Sequence, residues 1–176
     1  MREQKGFSLI ELIVVIAILG VVAFGTFSML GLLNGKYAKE AATKMQSAMA
    51  QSKVDALGKS KGPSAYDVYV RLYIKNGDIY VDSVVGSHTE TTKIGSGKVT
   101  VTAVKGALGT NGGDTVELSS LGTDGIVIAF NRADGSFNPV QGTTDTYWKK
   151  ILFSQGSHIY QIEMVPRTGK FSMTKQ

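Results

Sequence analysis

Lys5-Gly6-Phe7-Ser8-Leu9-Ile10-Glu11-Leu12-Ile13-Val14-Val15-Ile16-Ala17-Ile18-Leu19-Gly20 opens the most lopsided stretch of the chain. From Leu12 to Leu33 there are 22 residues without a charge, dominated by Ile, Val, Leu, Ala and Phe. A helix of that length is enough to span a bilayer, which needs roughly 20 residues. Arg2 and Lys5 precede it, so the positive-inside tendency places the N-terminus in the cytoplasm and the remainder of the chain outside. A cleaved secretory signal is the competing reading. Its apolar core runs ~7–15 residues to a small-residue cleavage site, whereas this run is longer and leads into a second helical pattern. Glu11 is the anomaly. A carboxylate at the edge of a span costs several kcal/mol unless it reaches the interface or meets a partner, and such a residue marks function by default.

The downstream pattern predicts more helix. Between Lys36 and Leu57, Ala38, Ala41, Ala42, Met45, Ala48, Met49, Ser52 and Ala56 recur at three- and four-residue steps, with Lys39, Glu40, Lys44, Gln46, Gln51 and Lys53 on the other side. A continuous helix from Phe7 to Leu57 would run about 76 Å at ~1.5 Å per residue. A globule made of the rest has a radius of gyration near ~13 Å, so the hydrophobic half of such a helix protrudes. Gly20, Gly25, Gly31, Asn34 and Gly35 lower helix propensity and mark places for a bend.

After Gly58-Lys59-Ser60-Lys61-Gly62-Pro63 the period changes to two. Val68, Val70, Leu72 and Ile74 face one side and Tyr69, Arg71, Tyr73 and Lys75 the other, and Asn76-Gly77-Asp78 is a hairpin turn before a strand over Ile79 to Val85. Further strands are expected at Lys98 to Val104, Thr115 to Leu118, Ile126 to Phe130, Trp148 to Phe153, His158 to Val165 and Phe171 to Met173. Gly, Asn and Asp clusters separate them. The fold class is α+β: a long N-terminal helix, its amphipathic half packed on an antiparallel β-sheet head.

Composition narrows the chemistry. The 176 residues contain no Cys, which excludes a disulfide framework, thiolate metal ligation and a cysteine nucleophile. The formal charge of +5 permits anionic partners without prescribing one. Gly95-Ser96-Gly97-Lys98-Val99 has the end of a phosphate-binding loop, but Thr92 stands at its first glycine, Val99 replaces the Ser or Thr, and a strand follows. His88 and His158 have no acidic cluster near them in sequence, and Asp124 and Asp134 each precede a glycine or a Gly-Ser step that turn chemistry explains. No enzyme activity, cofactor or metal is expected.

The segment from Lys5 to Gly20 resembles the N-terminal signature of type IV pilins and type II secretion pseudopilins. The resemblance implies that a prepilin peptidase cuts after Gly6, that Phe7 becomes the methylated N-terminus, and that Glu11 is the acid used in subunit docking. It divides the chain into a leader (1–6), a hydrophobic membrane and fibre-core half-helix (7–35), an amphipathic half-helix (36–58) and a β-rich head (59–176). The partners implied are the peptidase, other pilin or pseudopilin subunits, the inner (cytoplasmic) membrane, and an assembly platform with its ATPase. The implied location is a single-pass membrane protein with an external head, then a surface pilus or a periplasmic pseudopilus. Many pilins have a proline in the first half-helix and a C-terminal disulfide loop; this chain has neither. The pattern Ile126 to Phe130, Asp134-Gly135-Ser136, Ile159 to Ile162 and Thr168-Gly169-Lys170-Phe171 more loosely resembles minor pilins of the GspH/FimT type.

Physical chemistry agrees with the docking role. Cleavage would free an α-amine at Phe7 that is largely cationic at neutral pH, with an ordinary pKa near ~8. In an apolar bundle, Glu11 of one subunit meeting that amine of another relieves the burial cost of both charges, which penalises every other stagger. Two other readings are a ligand-binding tip subunit and an anchored domain that never polymerises. For a tip subunit, Lys149, Lys150, Arg167 and Lys170 are the candidate contacts to DNA or polysaccharide. Tyr66, Tyr69, Tyr73 and Tyr80, with Arg71 and Lys75, form a second aromatic and basic group on the first hairpin.

Overall fold

The computed structural model describes residues 9–33, 35–59, 67–110 and 112–176. They form two compact units, one ending at Asn34 and one running from Gly35 to Gln176.

The first unit holds helix α1, Leu9–Leu33. Its apolar residues cover every side, so it has no polar face to turn to water. The long helix expected over 7–57 is two helices: α1 ends at Leu33 and α2 spans Lys36–Lys59. Gly35, one of the low-propensity positions, has φ +85° and its carbonyl accepts the first bond of α2, from the Lys39 amide at 3.0 Å. Only glycine adopts that backbone cheaply.

In the second unit α2 buries Ala38, Ala41, Ala42, Met45, Met49 and Ala56 against strands of two sheets. Three alanines in its first two turns let the backbone approach those strands closely. The fold is α+β as expected, and the strands of the head form two sheets, both wholly antiparallel. The first has the order β3-β2-β1-β6, with β1 Val68–Lys75, β2 Asp78–Val85, β3 His88–Gly95 and β6 Ile126–Ala129. The second has the order β5-β4-β7-β8-β9, with β4 Thr100–Ala107, β5 Asp114–Glu117, β7 Thr146–Gln155, β8 His158–Val165 and β9 Lys170–Lys175.

Asn76 and Gly77 both have positive φ, 54° and 79°, so β1 and β2 are joined by the two-residue turn whose twist matches the strands. That turn sets the register in which Arg71 faces Asp82 and Tyr73 faces Tyr80. Val68, Val70 and Leu72 point into the core, and Tyr69, Arg71 and Tyr73 lie on the opposite face, as the alternation predicts. Strand β3 was not expected. Its first six residues are exposed and only Ile94 is buried, so it carries no alternation; three threonines and the Gly86-Ser87 step after Val85 are its only local signals.

A side-chain bond links the second sheet to β6 of the first. The indole N–H of Trp148 on β7 donates to the carbonyl of Val127 on β6 at 3.0 Å, and the Asn138 amide donates to Ala129 at 2.9 Å. Phe130, Phe137 and Phe171 cluster beside them, with ring centroids 4.7 to 6.3 Å apart. Each fully buried side chain of this size contributes about 1.5–3 kcal/mol.

Candidate functional site

Of the N-terminal residues singled out by sequence, Gly6 and Phe7 lie outside the described residues. Glu11 lies in the first turn of α1, where the positive end of the helix dipole favours a carboxylate. Around it the apolar side chains stand bare: Leu9 is 79% exposed, Ile16 60% and Val21 75%. A helix that shows this much apolar surface on all sides needs lipid or other protein around it. Among the described residues no helix is long and apolar enough to cross a membrane.

The basic candidates of the head are spread over two adjoining clefts. Lys149 and Lys150 line one of about 390 Å³ with Glu163 and Pro166. Lys170 lines another of about 520 Å³ with Lys53 and Phe171. Arg167, in the turn after β8, lines neither. Lys149 Nζ donates to the carbonyl and hydroxyl of Thr110 and to the Gly112 carbonyl, so its N–H groups are engaged within the chain. Lys150 Nζ stands 3.7 Å from a Glu163 carboxylate oxygen. Opposite them the register slips by one residue between Val104 and Lys105, which pair with Lys150 and Trp148 and leave Lys149 as the extra residue on β7. The bulge at Lys149 is why Trp148 and Ile151, three apart, both reach the core.

The remaining motifs lie in turns, on an exposed strand and in a packing contact. Gly95 to Lys98 ends β3 and turns into β4, with the Val99 amide donating to the Ser96 carbonyl at 3.0 Å and Lys98 Nζ 5.3 Å above the Tyr37 ring. His88 opens the exposed strand β3. The His158 ring packs on Gly35 so closely that a Cβ there would lie 2.5 Å from it. Asp134 accepts from the amide and hydroxyl of Ser136 at 2.9 and 2.7 Å, and these bonds hold its carboxyl below the ordinary value. Among the described residues no group of three or more His, Asp or Glu is placed to hold a metal.

The outer face of the first sheet carries a more organised set. Asp82 is 2% exposed although it faces away from the core, and it accepts from Arg71 Nη2 at 2.6 Å, Arg71 Nε at 3.2 Å, Thr91 Oγ1 at 2.7 Å and the Tyr73 hydroxyl at 3.2 Å. The bond to Asp82 raises the Arg71 pKa, and burial raises that of Tyr73. Arg71 lies 5.1 Å over the Tyr73 ring, which stacks on Tyr80 at 5.9 Å. The sequence reading named these tyrosines and Arg71 but missed Asp82. The two-residue turn at Asn76-Gly77 was the signal, since counting back from it pairs position 71 with 82.

No curated protein and no solved structure gives a significant match to the chain. Residues 1–27 match the family model of the prokaryotic N-terminal methylation motif. That motif implies processing by a prepilin peptidase, association with other pilin subunits and a membrane-anchored precursor. The Gly6-Phe7 junction, Glu11 and the bare apolar helix that follows all fall within or run on from the matched residues: the chain carries the N-terminal signature of type IV pilins and pseudopilins.

Proposed function

We propose that the chain is a structural subunit, of the minor pilin or pseudopilin kind, of a type IV pilus or related filament. It is stored in the membrane through residues 7–35, cleaved after Gly6 and methylated at Phe7. It then joins the filament with its apolar half-helix in the fibre core and its β-rich head outward. Glu11 sets the stagger by pairing with the Phe7 ammonium of a neighbouring subunit. The leader is 1–6, the amphipathic half-helix 36–58 and the head 59–176. The chain is a substrate of the assembly machinery and performs no chemistry itself.

The observation that carries this reading is the match of residues 1–27 to the methylation motif at the head of an apolar helix with a single acid, Glu11, in its first turn. Apolar surface on every side suits first lipid and then the packed core of a fibre, because both are apolar environments. The test is the mass of the mature protein isolated from its native membrane. An N-terminus at methylated Phe7 supports the reading, and an intact Met1 or an unrelated N-terminus overturns it. Gly6→Val should accumulate the uncut chain, since a branched side chain replaces the residue the peptidase must fit; normal processing of that variant would refute the junction.

A further inference from the structure

The outer face of the first sheet holds groups that the filament reading leaves unused. An exposed cross-strand ion pair contributes about 0–1 kcal/mol and needs no support. Here, however, the carboxylate is buried and draws donors from three residues, Arg71, Tyr73 and Thr91. Burying a carboxylate costs several kcal/mol before its partners offset it. The outcome of that arrangement is a guanidinium fixed in orientation, held by Asp82 through two nitrogens and by the ring of Tyr73 below, with 37% of the Arg71 side chain still open to solvent.

Arg71 presents that open side to a cleft of about 420 Å³ lined also by Tyr69, Asp124, Val127 and Gln141. This volume lies in the range of small-ligand sites, roughly 300–1,000 Å³. The charge balance selects among ligands. Asp82 neutralises Arg71, Asp78 pairs with Lys93 on the same face at 2.6 Å, and Asp124 adds a carboxylate to the cleft itself. A phosphate or sulfate would meet no excess positive charge. What the cleft does offer is three planar polar groups, a guanidinium, a carboxylate and an amide, beside one phenol ring. Planar groups of this kind make paired hydrogen bonds to neighbouring hydroxyls, and an aromatic face packs against C–H bonds.

We infer that this cleft binds a neutral oligosaccharide. Arg71 and Gln141 donate to hydroxyl oxygens, Asp124 accepts from hydroxyl protons, and Tyr69 packs on the C–H face of the sugar ring. The inference stands apart from how the N-terminus is processed. The chain supplies its own reporter: Trp148, its one tryptophan, donates to the carbonyl of Val127, which lines the cleft.

The full chain, purified in a zwitterionic detergent so that no sugar headgroup competes, is titrated with cellobiose, maltose and diacetylchitobiose into the millimolar range. A short DNA duplex and a sulfated oligosaccharide are run in parallel. The expected result is a saturable change in Trp148 emission with at least one neutral sugar, indifferent to salt and weakened about tenfold or more by Tyr69→Ala and by Gln141→Ala. Those two positions are chosen because Arg71→Ala would strand buried Asp82 and unfold the sheet; circular dichroism verifies that both variants fold. Binding that both variants leave unchanged overturns the site. So does response to the anionic probes alone that fades with salt, or the absence of any saturable response by emission and by saturation-transfer NMR.

Discussion

Lys53 of α2 donates from Nζ to the carbonyl of Gly169, 2.9 Å away, and to that of Thr168 at 3.4 Å, so one side chain ties the helix to the turn between β8 and β9. Gly169 in turn rests on Gly135: a Cβ at Gly169 would lie 1.7 Å from the Gly135 carbonyl oxygen, and its φ is +59°. The two Gly turns of the C-terminal pattern thus pack on one another and on α2.

Gly169→Ala should therefore cost about 2–4 kcal/mol, since it combines a left-handed backbone with a clash against backbone that has nowhere to move. Gly142→Ala is the comparison, because φ there is +81° with nothing within 4 Å; it should lose only about 1 kcal/mol. Urea midpoints measure both, and equal losses would dismiss the packed-turn argument.

The seam between the sheets makes a separate prediction. Trp148→Phe keeps an aromatic ring in the core and removes the donor to Val127, which should cost about 1–2 kcal/mol. A variant as stable as the parent in chemical denaturation would show that the indole bond contributes nothing to holding the sheets together.

Tyr73 makes stability fall in alkali. Burial, then the nearby Asp82, raise its pKa above the ordinary 10.0, so the unfolded chain gives up this proton first. The stabilisation is fully present below about pH 10 and declines as pH rises toward the folded value. Lys93, raised by its bond to Asp78, works in the same direction. Denaturant midpoints taken across that range should decline less steeply in Tyr73→Phe; an unchanged slope would remove Tyr73 from the account.

Glu11→Gln tests the docking role. Cleavage and insertion should persist, because a neutral amide enters an apolar phase more readily than a carboxylate. Assembly should fail, with a loss of about 3–5 kcal/mol when the Phe7 ammonium enters the fibre core without its partner. Immunoblots of membranes against sheared filaments separate the two steps, and wild-type filament yield would reduce Glu11 to an interfacial carboxylate.

A fragment from Gly35 to Gln176 should fold as a soluble monomer, since α2 and both sheets share one core of buried side chains. Sedimentation and far-ultraviolet circular dichroism check this; a disordered or wholly aggregated fragment would mean that the unit depends on residues before Gly35.

The sequence by itself determined the features that arise from neighbours along the chain. The apolar run through α1, the small-residue face of α2 from Ala38 to Ala56, the Val68-Val70-Leu72 alternation and the Asn76-Gly77 turn all follow from local periodicity and backbone preference, which need no distant partner. Tertiary structure decided what depends on pairing between distant segments. β4 lies beside β7 and β1 beside β6, and these choices sort the strands into two sheets, a division that local pattern does not specify. The sheet edge recruited β3, a strand with a single buried residue, because an edge strand needs backbone partners more than apolar side chains. The slip opposite Lys149 and the burial of Asp82 beneath Arg71, Tyr73 and Thr91 were likewise settled across strands. A period of two says which side of a strand faces inward; it carries no record of which strand lies next to it.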